Sequence, residues 1–123
     1  MLFNTRGLIM IHKMKLLESE FDNIKYNGKI LEVRLNDEKR KSIKSGDKII
    51  FYKLPYMKES ILVNVEQVFA FSSFIEVYTK IPIAYFGYKN MSIEEITNKI
   101  YTIYTKEQEK ARGVVAIKFN VEK

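Results

Sequence analysis

The feature that most constrains this chain is a repeated switch between hydrophobic period two and a period of roughly 3.6, each held only briefly. Ile11 to Leu16 alternates apolar and polar residues, as a strand with one buried face does. Lys29 to Asn36 alternates again, with Leu31, Val33 and Leu35 on one face and Ile30, Glu32, Arg34 and Asn36 on the other. Lys48 to Lys53 follows the turn Ser45-Gly46-Asp47. Ile61 to Phe71 is the longest strand signal, with Ile61, Val63, Val65, Phe69 and Phe71 sharing a side. Val114 to Val121 closes the series, with Val115, Ile117 and Phe119 facing inward. The segments between read as short helices. Phe21 and Ile24 mark one that begins at Glu18 and stops at Asn27-Gly28. Asp37 to Ile43 makes a turn or two. Ser73 with Glu76, Ser92 with Glu95, and Thr105 with Gln108 have capping-box spacing and predict three more. These helices are too short and too unevenly placed for regular βαβ crossovers, so the pattern predicts an α+β fold, a mixed β-barrel with short flanking helices.

At 123 residues the chain suits one domain with one modest core. The domain is expected to run from residue 10 to residue 123, with residues 1–9 as a dispensable extension. No apolar run approaches the roughly 18 residues of a membrane span, and the start makes a poor signal peptide, which predicts a cytoplasmic protein. With no cysteine there is no disulfide scaffold, thiolate nucleophile or cysteine-bound zinc. A single histidine excludes a multi-histidine metal site, and no metal or cofactor is expected. The net charge of +6 suits an anionic partner such as RNA, a nucleotide or phosphate, and equally suits a lysine-rich surface that keeps the protein soluble.

The chemistry concentrates in Gly28-Lys29-Ile30-Leu31-Glu32-Val33-Arg34 and the residues after it. Glu32 and Arg34 project to the same side of their strand, one pleat apart. Two readings follow: the pair lies in a covered cleft, joined by charge-assisted hydrogen bonds, or that face is solvated. Asn36 shares the face. Lys39 and Arg40, with Lys41, Lys44 and Lys48, supply a basic run that either rims a cleft or forms a solvated surface. His12 is a structural strand residue or a member of the cleft. Tyr52, Tyr56, Tyr85, Tyr88, Tyr101 and Tyr104 could stack on bases or serve only in packing.

The stretch from His12 to Phe51 resembles the small bacterial and archaeal ASCH proteins. The likeness rests on Phe21 and Ile24 in a helix, then Lys29, Glu32 and Arg34, then Asp37 and Arg40, and finally Gly46, Asp47 and Phe51. Phe74 with Tyr78, Pro82, Gly87-Tyr88, Tyr104 to Glu107 and Gly113 to Val115 extend it along the chain. The resemblance implies a PUA-like barrel whose cleft is lined by the Lys-x-x-Glu-x-Arg strand, with RNA or a nucleotide as partner. Ligand contacts would then fall to Lys29, Glu32, Arg34, Asn36, Lys39, Arg40 and His12. More distant members act as amidohydrolases on acetylated cytidine nucleosides, and an enzyme of that type would use Lys29 and Glu32. Glu32 stands where those enzymes carry threonine. The alternatives to RNA or nucleotide binding are therefore a small amidohydrolase acting on a modified nucleoside and a protein-interaction domain.

Overall fold

A computed structural model describes residues 9–123 of the chain. The expected extension, residues 1–9, lies outside the described residues except for Ile9. Among the described residues five strands form one sheet: β1 (Ile11–Leu16), β2 (Leu31–Leu35), β3 (Lys48–Lys53), β4 (Ser60–Phe71) and β5 (Val114–Val121). Their spatial order is β1-β3-β4-β5-β2. Among these five strands β1 and β3 run parallel, with Met14 opposite Phe51, and the other neighbouring pairs are antiparallel. The sheet curls into a half-barrel with β1 and β2 as its two edges. The architecture is α+β, as the alternation implied.

The half-barrel has two cores because its best-covered strand is buried on both faces. On one face Val115, Ile117 and Phe119 of β5 join Met14, Leu16, Ile49, Phe51, Val63 and Val65. Helix α1 (Glu18–Tyr26) covers this core with Phe21 and Ile24. On the opposite face Val114 and Ala116 meet Leu31 and Leu35 of β2. That second core is closed by α3 (Phe74–Lys80), the 3-10 turn Ile83–Phe86 and α4 (Ile93–Ile100). Two short helices complete the chain, α2 (Glu38–Lys41) and α5 (Lys106–Arg112).

One expectation about β4 is corrected. A bulge between Val65 and Gln67 inserts an extra residue into the pairing with β5, and such an insertion reverses which side chains face which way. Val68, opposite Ile117, therefore continues the core face of Val63 and Val65. Phe71 instead packs with the second core, and Phe69 lies opposite Ala116 and is partly exposed. The capping signals hold for α4 and α5, where both reciprocal bonds form. At α3 the Ser73 side chain accepts from the Glu76 amide, but the Glu76 carboxylate accepts from Ser72 N–H instead of Ser73 N–H. Among the described residues no helix is long and apolar enough to cross a membrane.

Candidate functional site

Strand β2 is an edge strand, and its inward charges are largely withdrawn from water, Glu32 more completely than Arg34. Glu32 sits opposite Ile117 and Arg34 opposite Val115, which turns both side chains toward the inside of the half-barrel. Lys29 and Glu32 are each only 4 % exposed. Burial of that kind is tolerable only where charges are paired and hydrogen-bonded. Here the pairing is continuous. Lys29 Nζ donates to Glu20 Oε1 of α1 at 2.5 Å and lies 2.8 Å from Glu32 Oε1. Arg34 Nε donates to Glu32 Oε2 at 2.6 Å, and its Nη2 donates to the Lys15 carbonyl of β1 at 2.7 Å. Glu20 Oε2 accepts from the Tyr88 hydroxyl at 2.7 Å and has Lys99 of α4 at 3.7 Å. A single polar chain thus runs from one edge of the sheet to the other.

These contacts set the ionisation of the network. Burial opposes charge on Lys29, but the carboxylates of Glu32 and Glu20 outweigh it and leave its pKa raised. Burial also opposes charge on Glu32, and Lys29 and Arg34 outweigh it, holding its pKa below the ordinary value. Arg34 is raised because Glu32 more than offsets its desolvation. Burial, followed by the negative charge of Glu32 and Glu20, pushes the Tyr78 hydroxyl well above its ordinary value. Tyr88 is raised by burial and by Glu20. Both phenols are neutral across the physiological range.

The network floors a cavity of about 270 Å³ between the two sheet edges and α4. Its aromatic walls are Phe74, Tyr78, Phe86, Tyr88 and Tyr104. Tyr104 stacks on Phe74 with centroids 5.5 Å apart, and Phe86 stacks on Tyr88 at 6.3 Å. Tyr78 is 5 % exposed, yet among the described residues its hydroxyl has no hydrogen-bond partner. The mouth carries Lys15, Lys99 and the apolar lips Leu17 and Ile103. Gly87 makes the close packing possible. A Cβ there would sit 2.9 Å from the Asn23 Cβ and 3.0 Å from the Lys29 Cβ, and its φ of +77° is one that L side chains rarely adopt.

Of the residues expected from sequence, Lys29, Glu32 and Arg34 come together here, and the paired reading of Glu32 and Arg34 is the one observed. Asn36, Lys39, Arg40 and His12 do not line the cavity. Asn36 follows the last residue of β2 and donates its amide to the Gly113 carbonyl. Lys39 stands exposed on α2, and Arg40 bonds Asp37 through Nη1 at 3.2 Å. His12 Nε2 lies 2.8 Å from Asp47 Oδ2, and the Asp47 carboxylate also accepts from the Met10 and Lys44 amides. Among the tyrosines offered as stacking residues, Tyr88 and Tyr104 are in the walls. Burial, followed by its bond to Glu109, pushes the Tyr101 hydroxyl up to about 12. The sequence pattern does not point to Glu20, Lys15 or Lys99 as site residues. Lys15 and Lys99 come from β1 and α4, and Glu20 from α1, nine positions and a turn before Lys29, so no strand or helix spacing connects them to β2.

A curled half-barrel with a polar network between its edges is thus the frame of the site, and the chain belongs to the ASCH domain family, whose model matches residues 14–123. Two solved structures are similar over nearly the whole chain. The crystal structure of hypothetical protein PH0355 is 39% identical, covers 92% of this chain and all of its own, and superposes with a TM-score of 0.79. The solution NMR structure of protein PF0455 from Pyrococcus furiosus is 32% identical, covers 91% of this chain and 97% of its own, and gives a TM-score of 0.68. No match is found among curated proteins.

Proposed function

We propose that the cavity binds one unstacked base, with its ribose, of a single-stranded RNA or a free nucleotide. The observation that carries this reading is the cavity itself, aromatic on its walls and charged on its floor. At about 270 Å³ it falls just under the ~300–1,000 Å³ typical of sites for drug-sized ligands, which suits a single nucleoside unit. Proteins that read splayed-out bases combine aromatic faces for stacking with polar groups for the base edge. Tyr88 and Tyr104 offer the faces. The Tyr78 hydroxyl and Arg34 offer donors, and family membership adds its own weight, since ASCH domains are PUA-like.

The amidohydrolase alternative uses Lys29 as a base or as a charge stabiliser, and only the first role requires a neutral amine. Two carboxylates hold it in the opposite state. That observation disfavours Lys29 as a base and leaves charge stabilisation as its role in a hydrolase.

The test is titration of the full chain with short single-stranded RNAs and with a panel of plain and modified nucleosides. Arg34→Lys keeps the charge and loses the planar fork that reaches both Glu32 and Lys15, so affinity should fall by about 1–3 kcal/mol. Tyr78→Phe should weaken binding by about 1–3 kcal/mol while leaving the melting temperature equal or higher, because the hydroxyl has no partner to lose. If Tyr78→Phe binds every ligand as the parent does, the cavity is not the binding site. Turnover of an acetylated nucleoside by the parent would establish the hydrolase instead.

A further inference from the structure

Resting on that reading, we propose that the mouth of the cavity is a phosphate grip made by Lys15 and Lys99 with Arg34 between them. The ligand it takes is a base carrying a ribose phosphate, in preference to a neutral nucleoside. The argument begins with charge. Four cationic side chains line the cavity, Lys15, Lys29, Arg34 and Lys99, against two carboxylates, Glu20 and Glu32. The two acids are committed: Lys29 and Tyr88 occupy Glu20, while Lys29 and Arg34 occupy Glu32. The surplus therefore belongs to the mouth. Lys15 has no carboxylate within ion-pair distance among the described residues, and Lys99 has only the 3.7 Å approach to Glu20. Arg34 uses Nε and Nη2, leaving its Nη1 without a partner among the described residues.

Position supports the same conclusion. Lys15 comes from β1, Arg34 from β2 and Lys99 from α4, and the three sit on one opening because β1 and β2 are the facing edges of the sheet. The Arg34 guanidinium is fixed at both ends by Glu32 and the Lys15 carbonyl, so it is held in place before a ligand arrives. Exposed lysines around a fixed guanidinium suit a solvated phosphate, whose three or more acceptor oxygens need donors from several directions. Deeper in, the unpartnered Tyr78 hydroxyl marks where the base end of the same ligand would stop. The phosphate could belong to a free mononucleotide or to a nucleotide of single-stranded RNA; the contact chemistry is shared.

The experiment titrates the full chain with uridine, uridine monophosphate, inorganic phosphate and an oligouridine, each at two salt concentrations. The monophosphate should bind about tenfold or more tightly than uridine at low salt, the scale of hydrogen bonds to a charged group. Lys15→Gln combined with Lys99→Gln should erase that advantage, the loss falling at least about fivefold more on the monophosphate than on uridine, while Lys39→Gln combined with Arg40→Gln should leave the ratio as it is. If RNA is the source, the oligouridine should exceed the monophosphate, with a log K against log salt slope flattened by about one unit or more in the lysine double variant. Equal binding of uridine and its monophosphate overturns the grip but leaves base binding standing. Binding of inorganic phosphate with no response to any base keeps the grip and removes the base reading. Failure of all four ligands overturns both.

Discussion

At the residue scale, the site turns on how a carboxylate can be buried. Glu32 is held ionised by Lys29 and Arg34, and a lowered pKa has a definite consequence for stability. Its stabilising contribution is complete above the ordinary value of 4.5 and is lost as pH falls through the lowered folded value. Glu32→Gln leaves two buried cations short of a partner and should cost about 3–5 kcal/mol near neutrality. Denaturant titrations at a series of pH values should show that difference narrowing below pH 4.5. A constant gap down to strong acid would mean that Glu32 is not ionised in the folded protein. The shared face of Glu32 and Arg34 could be read from the sequence because a strand repeats every two residues, but the bond between them comes from the structure, since the same spacing suits a solvated face. The bond from Lys29 to Glu20 could not, since nine positions and a turn separate a helix acid from a strand-entry lysine.

At the scale of elements, caps and alternation were legible and the bulge was not. A capping box declares itself at a spacing of three, whereas a bulge in β4 shows no residue type that would betray it; only pairing with β5 reveals it. The turn around Gly87 belongs to this scale as well, because it brings the 3-10 segment against α1 and the entry to β2. Gly87→Ala should lose about 2–4 kcal/mol, from left-handed backbone strain plus the crowding of Asn23 and Lys29. Gly28→Ala is the control. Its φ is +73° but nothing lies within 4 Å of an added Cβ, so only the backbone cost of about 1–2 kcal/mol should appear. Equal thermal melts for the two variants would remove the close approach as a determinant of the site.

For the whole molecule, the arrangement of five strands explains both cores. β5 lies between β4 and β2, with side chains buried on each face, and Ile117 is fully buried where β2, β4 and β5 meet. Ile117→Ala should cost about 2–5 kcal/mol in chemical denaturation, and a loss below ~0.5 kcal/mol would contradict the central place of β5. Sequence alternation puts Val115, Ile117 and Phe119 in a core but leaves Val114 and Ala116 unassigned, because Val114 to Ile117 is apolar throughout and both faces of that stretch are buried. The bond from Arg34 to the Lys15 carbonyl has one more consequence. β1 and β2 are the two edges at which a foreign strand could add to the sheet, and their curling toward each other directs both edges inward. The guanidinium occupies an acceptor that an incoming chain would otherwise use, a form of protection against edge-to-edge association. A variant without Arg34 would free the Lys15 carbonyl and lose that guard at the β1 edge.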